Sequence, residues 1–373
     1  MLKNEFYSSD EPGYDQIAVN FLNGRGFVTD DGLYARRGPV YPLFLATIYL
    51  ILGHSFVGVR FIQAIIGALT SLIIYPIGKE MFNRKVGLIS AFISVFYYPF
   101  IQQSAYLLTE VPFTFLLALS ILFFLRYYNL RKNCSIFIAS ILLGIASLCR
   151  GVVLFFSLFL FLWCLRLAEF RTKETIKMLI FIFSGITIII APWAIRNFRI
   201  YRAFIPSAIE SGKLLYVGNN PKATGGTGGW SRNGIDQFYP EDVDNLHSLE
   251  ADRIMFRRAL NFIMAHPKKT IFLMGKKFIN MWRPFFYDAR LINKIIMSLL
   301  YIPILILSIG GMVESAFHNW QKRLLLYLLI FYYISIHLLT IAEIRYRYPI
   351  EPYLIIFAGY FISRIKIKYR FFN

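Results

Sequence analysis

Residues 111–128 read VPFTFLLALSILFFLRYY, and residues 135–166 read SIFIASILLGIASLCRGVVLFFSLFLFLWCLR. The first run is close to the roughly 20 apolar residues that a helix needs to cross a bilayer. The second is interrupted at Leu148-Cys149-Arg150-Gly151, and each half is short. It reads either as one long tilted helix or as two short helices hinged at Arg150-Gly151. Further apolar stretches lie at about 57–78, 86–106, 177–195, 291–312, 324–341 and 349–363.

Charge asymmetry decides between the two readings. The short loops with Lys79/Arg84/Lys85, Arg126/Arg131/Lys132, Arg166/Arg171/Lys173/Lys177 and Lys322/Arg323 are basic, as is the tail with Arg364, Lys366, Lys368 and Arg370. Only two spans between 135 and 166 put all of these on one side, which the positive-inside rule makes cytoplasmic. The short segments Gln102–Thr109 and Ala342–Glu351 are then external, together with the long polar regions 1–38 and 196–290. The sequence thus predicts an all-α, polytopic integral membrane protein with about nine transmembrane helices and interfacial helices in its external loops. A single transmembrane domain covers 1–373, with an external first-loop segment at 1–56 and a large external loop at 196–290. Pro39–Gly53 is too short to span and reads as a helix lying at, or dipping into, the outer interface. Residues 247–283 read as two amphipathic helices broken at His266-Pro267, the second carrying Lys268, Lys269, Lys276, Lys277, Phe278 and Trp282 as an interfacial helix does. The N-terminus shows no secretory signal pattern.

Composition agrees. Of the 373 residues 57% are hydrophobic and 16% charged, against about 45–50% and 25% in soluble domains. The formal charge of +19 belongs in loops that set topology and meet anionic head groups, so it does not imply nucleic acid. Cys134, Cys149 and Cys164 fall in or beside apolar runs and read as small buried hydrophobes. His54, His247, His266, His318 and His337 show no metal-ligand spacing.

The polar groups that suit chemistry lie on the external side. In Ser9-Asp10-Glu11-Pro12-Gly13-Tyr14-Asp15 the carboxylates Asp10, Glu11 and Asp15 suit general-base work or metal binding; equally, they suit an acidic turn capping the helix that starts near Tyr14. Arg36 and Arg37, just before the Pro39–Pro42 motif with Tyr41, suit the grip of a lipid phosphate or a head-group anchor. Glu110 opens a span as a functional acid or as a helix N-terminal charge. Arg196 ends a span beside Trp193, and Asn219 and Asn220 stand in a loop without the Gly-Lys-Ser/Thr of a phosphate-binding P-loop. Arg345 and Arg347, interleaved with tyrosines, suit a phosphate arriving on a lipid, or serve as interface anchors.

In order along the chain, these motifs resemble the GT-C fold membrane glycosyltransferases that use polyprenyl-phosphate sugars, of the protein O-mannosyltransferase and aminoarabinose-transferase type. The match comprises Asp10 to Ala18 (Asp-Glu-x-x-Tyr-x-x-x-Ala), Gly24 to Phe27 (Gly-x-Gly-Phe) and Pro39 to Pro42 (Pro-x-Tyr-Pro). It continues with Leu108 to Glu110 (Leu-Thr-Glu), Pro192 to Asn197 (Pro-Trp-x-x-Arg-Asn), Gly218 to Pro221 (Gly-Asn-Asn-Pro) and Arg345 to Pro349 (Arg-Tyr-Arg-x-Pro). The resemblance implies that Asp10 is the base toward the acceptor hydroxyl, with Glu11 and Glu110 as catalytic neighbours. It places Arg345 near the carrier phosphate. Tyr14, Asp15, Arg36, Arg37, Tyr41, Arg196, Asn219, Asn220 and Arg347 complete the expected substrate-binding set.

The implied function is inverting transfer of a sugar from a polyprenyl (undecaprenyl or dolichyl) monophosphate to an acceptor hydroxyl on the external face. The expected location is the plasma membrane of a prokaryote. The expected partners are that donor, a lipid, glycan or protein acceptor, and membrane lipids, without nucleic acid. No cofactor is fixed; a divalent metal is compatible with the acidic first loop. A transporter or lipid flippase and an inactive homologue are the rival readings. Family members carry a signal-anchor helix before the first-loop aspartate, so this chain is expected to lack the first transmembrane helix. It is likewise expected to lack the soluble C-terminal domain that some members carry.

Overall fold

A computed structural model describes residues 4–226, 240–243, 248–285, 290–317 and 320–365 of the chain. All regular elements among the described residues are helical. They are α1 (Glu11–Leu22), α2 (Val40–Leu52), α3 (Phe56–Met81), α4 (Arg84–Val95), α5 (Tyr98–Gln103), α6 (Glu110–Leu130), α7 (Asn133–Cys149), α8 (Phe156–Leu167) and α9 (Thr172–Tyr201). After these come α10 (Ser211–Gly218), α11 (Ser248–Ala265), α12 (Pro267–Trp282), α13 (Leu291–Ala316), α14 (Trp320–Leu339) and α15 (Glu351–Arg364). Short 3-10 segments at Gly151–Phe155 and Ile344–Ile350 lead into α8 and α15.

Five helices, α3, α6, α9, α13 and α14, are long and apolar enough to cross a membrane, and the protein is an integral membrane protein. The continuous stretch expected at 86–106 is instead divided into α4 and α5. The chain turns extended at Tyr97 (ψ 106°), and Pro99 takes a place in the first turn of α5, where its missing N–H costs nothing. In the 135–166 region the helix breaks at Arg150 (φ −140°, ψ 112°). Beyond the break the chain reverses. Glu110 at the start of α6 pairs with Arg150, whereas Trp163 of α8 packs on Phe124 and Tyr127 near the other end of α6. The α8 terminus then returns to the α6–α7 loop, where the Arg131 guanidinium lies 3.5 Å from the Leu167 carbonyl.

The basic loops meet at one end of the bundle. Arg126 pairs with Glu80 at 3.4 Å and Arg364 with Glu314 at 2.9 Å, and Lys85 donates to the Ser363 carbonyl at 3.3 Å. Arg166 lies over the Trp320 ring, and Arg323 over Phe82 and Tyr360. The tail residues Lys366, Lys368 and Arg370 lie outside the described residues. Small residues permit close helix approach, as expected where lipid competes equally for apolar surface. A Cβ on Gly311 of α13 would sit 2.0 Å from the Phe357 carbonyl of α15.

At the opposite end, α2 lays a buried face of Tyr41, Leu45, Ile48 and Tyr49 on the bundle and leaves Leu43, Leu50, Ile51 and Leu52 exposed. The pair α11 and α12 breaks at His266, and of the two helices α12 also packs against α14 and the Ile344–Ile350 segment. Lys277, read as an interfacial residue, is instead fully buried, whereas Lys276 beside it is exposed. Cys149 and Cys164 are buried, and Cys134 is exposed.

Candidate active site

Asp10 occupies the position before α1, yet its side chain makes no capping hydrogen bond. Its carboxylate turns to two arginines from distant parts of the chain. One oxygen (Oδ1) lies 3.1 Å from Arg37 Nη2, and the other (Oδ2) 2.8 Å from Arg345 Nη1, across 335 residues of sequence. Arg37 reaches further, to Glu210 Oε1 at 2.6 Å, and its guanidinium lies 4.8 Å from the centroid of the Tyr14 ring. Gly38 makes this approach feasible, because a Cβ there would sit 2.1 Å from the Leu148 carbonyl beside the α7 hinge. The loop that carries Glu210 is fixed by the end of α9. Trp193 Nε1 donates to the Ser207 carbonyl at 2.6 Å and Asn197 Nδ2 to the Ile205 carbonyl at 3.0 Å.

A second ion pair lies alongside. Arg150 Nη1 meets Glu110 Oε1 at 2.7 Å, with the Glu110 side chain 3% exposed. The Tyr346 ring lies between Arg150 (5.5 Å) and Arg345 (5.2 Å) and joins the two pairs. Three carboxylates (Asp10, Glu110, Glu210) and three arginines (Arg37, Arg150, Arg345) are thus gathered from six segments at the end opposite the basic loops.

Electrostatics follow from this pairing. Burial works against the Asp10 carboxylate, but the positive charges of Arg345 and Arg37 outweigh it and hold its pKa below the usual aspartate value. Burial also disfavours the Arg37 charge, and Glu210, Tyr14 and Asp10 more than restore it. Burial pushes the Tyr14 hydroxyl up to about 12. Such a site holds its carboxylates ionised beside their arginines.

The other expected site residues are placed elsewhere. Glu11 is fully buried and accepts from the Tyr7 N–H at 2.9 Å, and burial raises its pKa. Asp15 accepts from Tyr49 Oη and meets His54 Nε2, each at 2.7 Å. The carboxylates of Asp10, Glu11 and Asp15 therefore face three different sets of partners. Among the described residues no group of three or more His, Cys, Asp or Glu is placed to hold a metal ion.

Arg36 is exposed and pairs with Asp31 at 3.3 Å. Tyr41 is buried and donates to Gln63 at 2.9 Å. Arg196 clamps the first loop, donating to the carbonyls of Tyr34 (2.8 Å) and Phe27 (2.9 Å) while stacking on Trp193. Asn219 donates to the Leu339 carbonyl at 2.7 Å and accepts from Lys277 Nζ at 3.2 Å; Asn220 closes the end of α10 on the Tyr216 and Val217 carbonyls. Arg347 is sealed at 2% exposure between Glu351 (2.8 Å), the carbonyls of Met281 and Arg283, and the Tyr301 ring. The structure does not bring these residues into the charged centre.

Arg150 and Glu210 are in that centre although sequence reasoning left them out of the site. Arg150 carried a usable signal, since an ionisable residue between two apolar runs is functional by default. Glu210 carried none.

Comparison with known proteins agrees with this architecture. Residues 36–195 match the family model described as dolichyl-phosphate-mannose-protein mannosyltransferase. An uncharacterized protein of Aquifex aeolicus is 27% identical over 152 residues, which is 40% of this chain and 30% of that protein. The archaeal oligosaccharyltransferase AglB from Archaeoglobus fulgidus, solved with an inhibitory peptide and a dolichol-phosphate, aligns over 96% of this chain at 15% identity with a TM-score of 0.59. Its apo form aligns over 95% at 18% identity with a TM-score of 0.61. The chain spans about half the length of that enzyme, covering 47% and 46% of the two solved chains. The protein has the GT-C fold of the archaeal oligosaccharyltransferase, and over residues 36–195 it is similar to the dolichyl-phosphate-mannose-protein mannosyltransferases.

Proposed function

We propose that the protein is an inverting glycosyltransferase that moves a sugar from a polyprenyl monophosphate carrier to an acceptor hydroxyl on the external face of a prokaryotic plasma membrane. The observation that carries this reading is the 2.8 Å pair between Asp10 of the first loop and Arg345 of the last. It joins a carboxylate suited to proton abstraction with a cation suited to a phosphate leaving group. The similarity to mannosyltransferases named for dolichyl phosphate mannose supports the donor class.

In the proposed reaction the acceptor oxygen attacks the anomeric carbon in line with the departing phosphate. The new carbon–oxygen bond forms as the bond from the anomeric carbon to the phosphate oxygen breaks, and the phosphate leaves with that electron pair. Asp10 takes the hydroxyl proton, a role worth about 10²–10⁴-fold. Arg345 stabilises the second negative charge that develops on the polyprenyl phosphate, where fixed donors are most effective. A lipid, a glycan or a protein could present the hydroxyl; the charged centre constrains the leaving group rather than the acceptor.

A transport site would lie near the midplane on broken helices. Here the paired charges gather at one end of the bundle, which favours transfer. The test is to supply the purified protein in vesicles with polyprenyl-phosphate sugars and, separately, nucleotide sugars, together with an envelope extract as acceptor. Label should move to acceptor from the lipid donor only, with the anomeric configuration inverted. Transfer from nucleotide sugars, or retention of configuration, contradicts the proposal.

A further inference from the structure

The charged residues of α9 mark its depth in the bilayer. Lys177 and Arg196 bound a run without charges, and at about 1.5 Å per residue they stand about 28 Å apart, close to the thickness of a hydrocarbon core. Arg199 and Arg202 then rise about 4.5 and 9 Å beyond Arg196, among the lipid phosphates, since head groups add about 5–8 Å on each face.

One side of this helix end is occupied by the protein. Arg196 holds the Phe27 and Tyr34 carbonyls of the first loop, and Trp193 and Asn197 hold the Ser207 and Ile205 carbonyls. On the opposite side Ala191, Ala194, Ile195 and Phe198 recur at the spacing of one helix face. With Arg199, Arg202 and Phe204 they line a groove of about 470 Å³. The chain turns back at Arg202 (φ 52°), whose N–H donates to the Phe198 carbonyl at 2.9 Å. The turn brings Phe204 to the groove with 76% of its surface exposed. Arg199 and Arg202 are exposed as well.

We infer that this groove binds one anionic phospholipid, with its phosphodiester between Arg199 and Arg202 and a chain running over Phe198 and Ile195 toward Ala191.

Charge, depth and shape together select this occupant. Among the described residues the lining carries two guanidinium groups and no carboxylate, and guanidinium pairs with phosphate oxygens in a fork. Below the arginines the wall is apolar and descends into the hydrocarbon, so the anion that fits is one that carries a chain. The two alanines keep the floor low enough to seat that chain. The groove's volume lies within the roughly 300–1,000 Å³ of ligand sites. A zwitterionic lipid offers the same chain, but its ammonium group offsets the phosphate. None of the groove residues belongs to the charged centre, so this site stands independently of the sugar-transfer reading. The lipid braces a helix end that holds the first loop from its other side, through Arg196 and the Tyr201 hydroxyl, which accepts from the Tyr34 N–H at 3.1 Å. Its binding therefore stabilises the folded chain.

The test uses the full chain in micelles of a neutral detergent, titrated separately with dioleoylphosphatidylglycerol and dioleoylphosphatidylcholine. Native mass spectrometry counts the lipid retained, and thermal unfolding is followed in parallel. Phosphatidylglycerol should bind saturably and raise the unfolding temperature, and phosphatidylcholine should do neither over the same range. Arg199→Gln and Arg202→Gln should each weaken binding about fivefold, as removal of one basic residue at an anionic surface does. Phe204→Ala should weaken it with no change of charge. Lys268→Gln removes an exposed base elsewhere at the same end of the bundle and should leave binding unchanged. All four substitutions alter exposed side chains, so the variants should fold.

Equal retention of the two lipids, or an equal loss in Lys268→Gln, indicates diffuse attraction and overturns the site. Displacement of phosphatidylglycerol by lower concentrations of undecaprenyl monophosphate assigns the groove to that lipid and overturns the phospholipid assignment.

Discussion

Arg345 and Arg347 stand two positions apart in one motif, and they should fail in different ways. Arg347→Met removes the partner of Glu351, whose side chain is 3% exposed, and strips the donors from the Met281 and Arg283 carbonyls. A buried charge left without its partner costs about 3–5 kcal/mol. Each unpaired carbonyl adds about 1–3 kcal/mol where water cannot replace the donor. Arg345→Met leaves Asp10 with Arg37 and with access to solvent, so its cost to stability should be about 1–2 kcal/mol. Its cost to turnover should be far larger, about 10²–10³-fold, as for loss of one donor that stabilises charge in the transition state. Unfolding of the purified variants in detergent micelles, together with transfer rates at saturating donor, measures both quantities. Arg347→Met/Glu351→Gln should recover at least half of the stability lost in Arg347→Met, because the stranded charge is gone. If Arg347→Met matches the wild type in stability while turnover collapses, Arg347 faces the substrate and its structural assignment fails.

Glu11→Gln should retain most of the activity, because its carboxylate is turned to the Tyr7 N–H and away from the charged centre; a loss as deep as that of an Asp10 substitution would place Glu11 in the chemistry. The buried Lys277 has its pKa pushed down by burial to about 7, so between about 7 and 10.4 the unfolded chain holds more protons than the folded one. Stability should therefore rise with pH across that window in the wild type and lose this slope in Lys277→Met, as followed by unfolding from pH 6.5 to 10. Cysteines placed at Arg36 and Arg131 should be labelled by an impermeant reagent from opposite sides of a sealed membrane, since these residues lie at opposite ends of the bundle. Labelling of both from one side would refute the topology.

Helices and their two-ended charge arrangement were legible because hydropathy and the placement of Lys and Arg report directly on the bilayer. The break at Arg150 could be read from the same asymmetry, since only a reversal there puts Arg131 and Arg166 on one side. The division of α4 from α5 was missed because an apolar run continues through Phe96 to Ile101, and only Pro99 marks the turn.

The site was legible in part. Asp10 and Arg345 were singled out by motif resemblance, and their meeting is a fact of three-dimensional packing that no local spacing encodes. Arg196, Asn219 and Arg347 were read as substrate contacts because a polar residue at the end of a span has the same sequence appearance whether it binds a ligand or clamps a loop. In the structure their side chains reach the carbonyls of Phe27, Leu339 and Met281, and carbonyls leave no mark in a sequence. Glu210 is a lone acid in a polar loop and becomes visible only through Arg37.

The most direct test of the central claim is the transfer rate of Asp10→Asn beside the wild type, with labelled sugar on a polyprenyl monophosphate and equal amounts of folded protein in vesicles. The substitution keeps size and hydrogen bonding but removes the basic oxygen. Transfer should fall about 10²–10⁴-fold with donor binding retained. An Asp10→Asn protein that transfers within a few-fold of the wild type, or a wild type that only carries label across the membrane, contradicts the account.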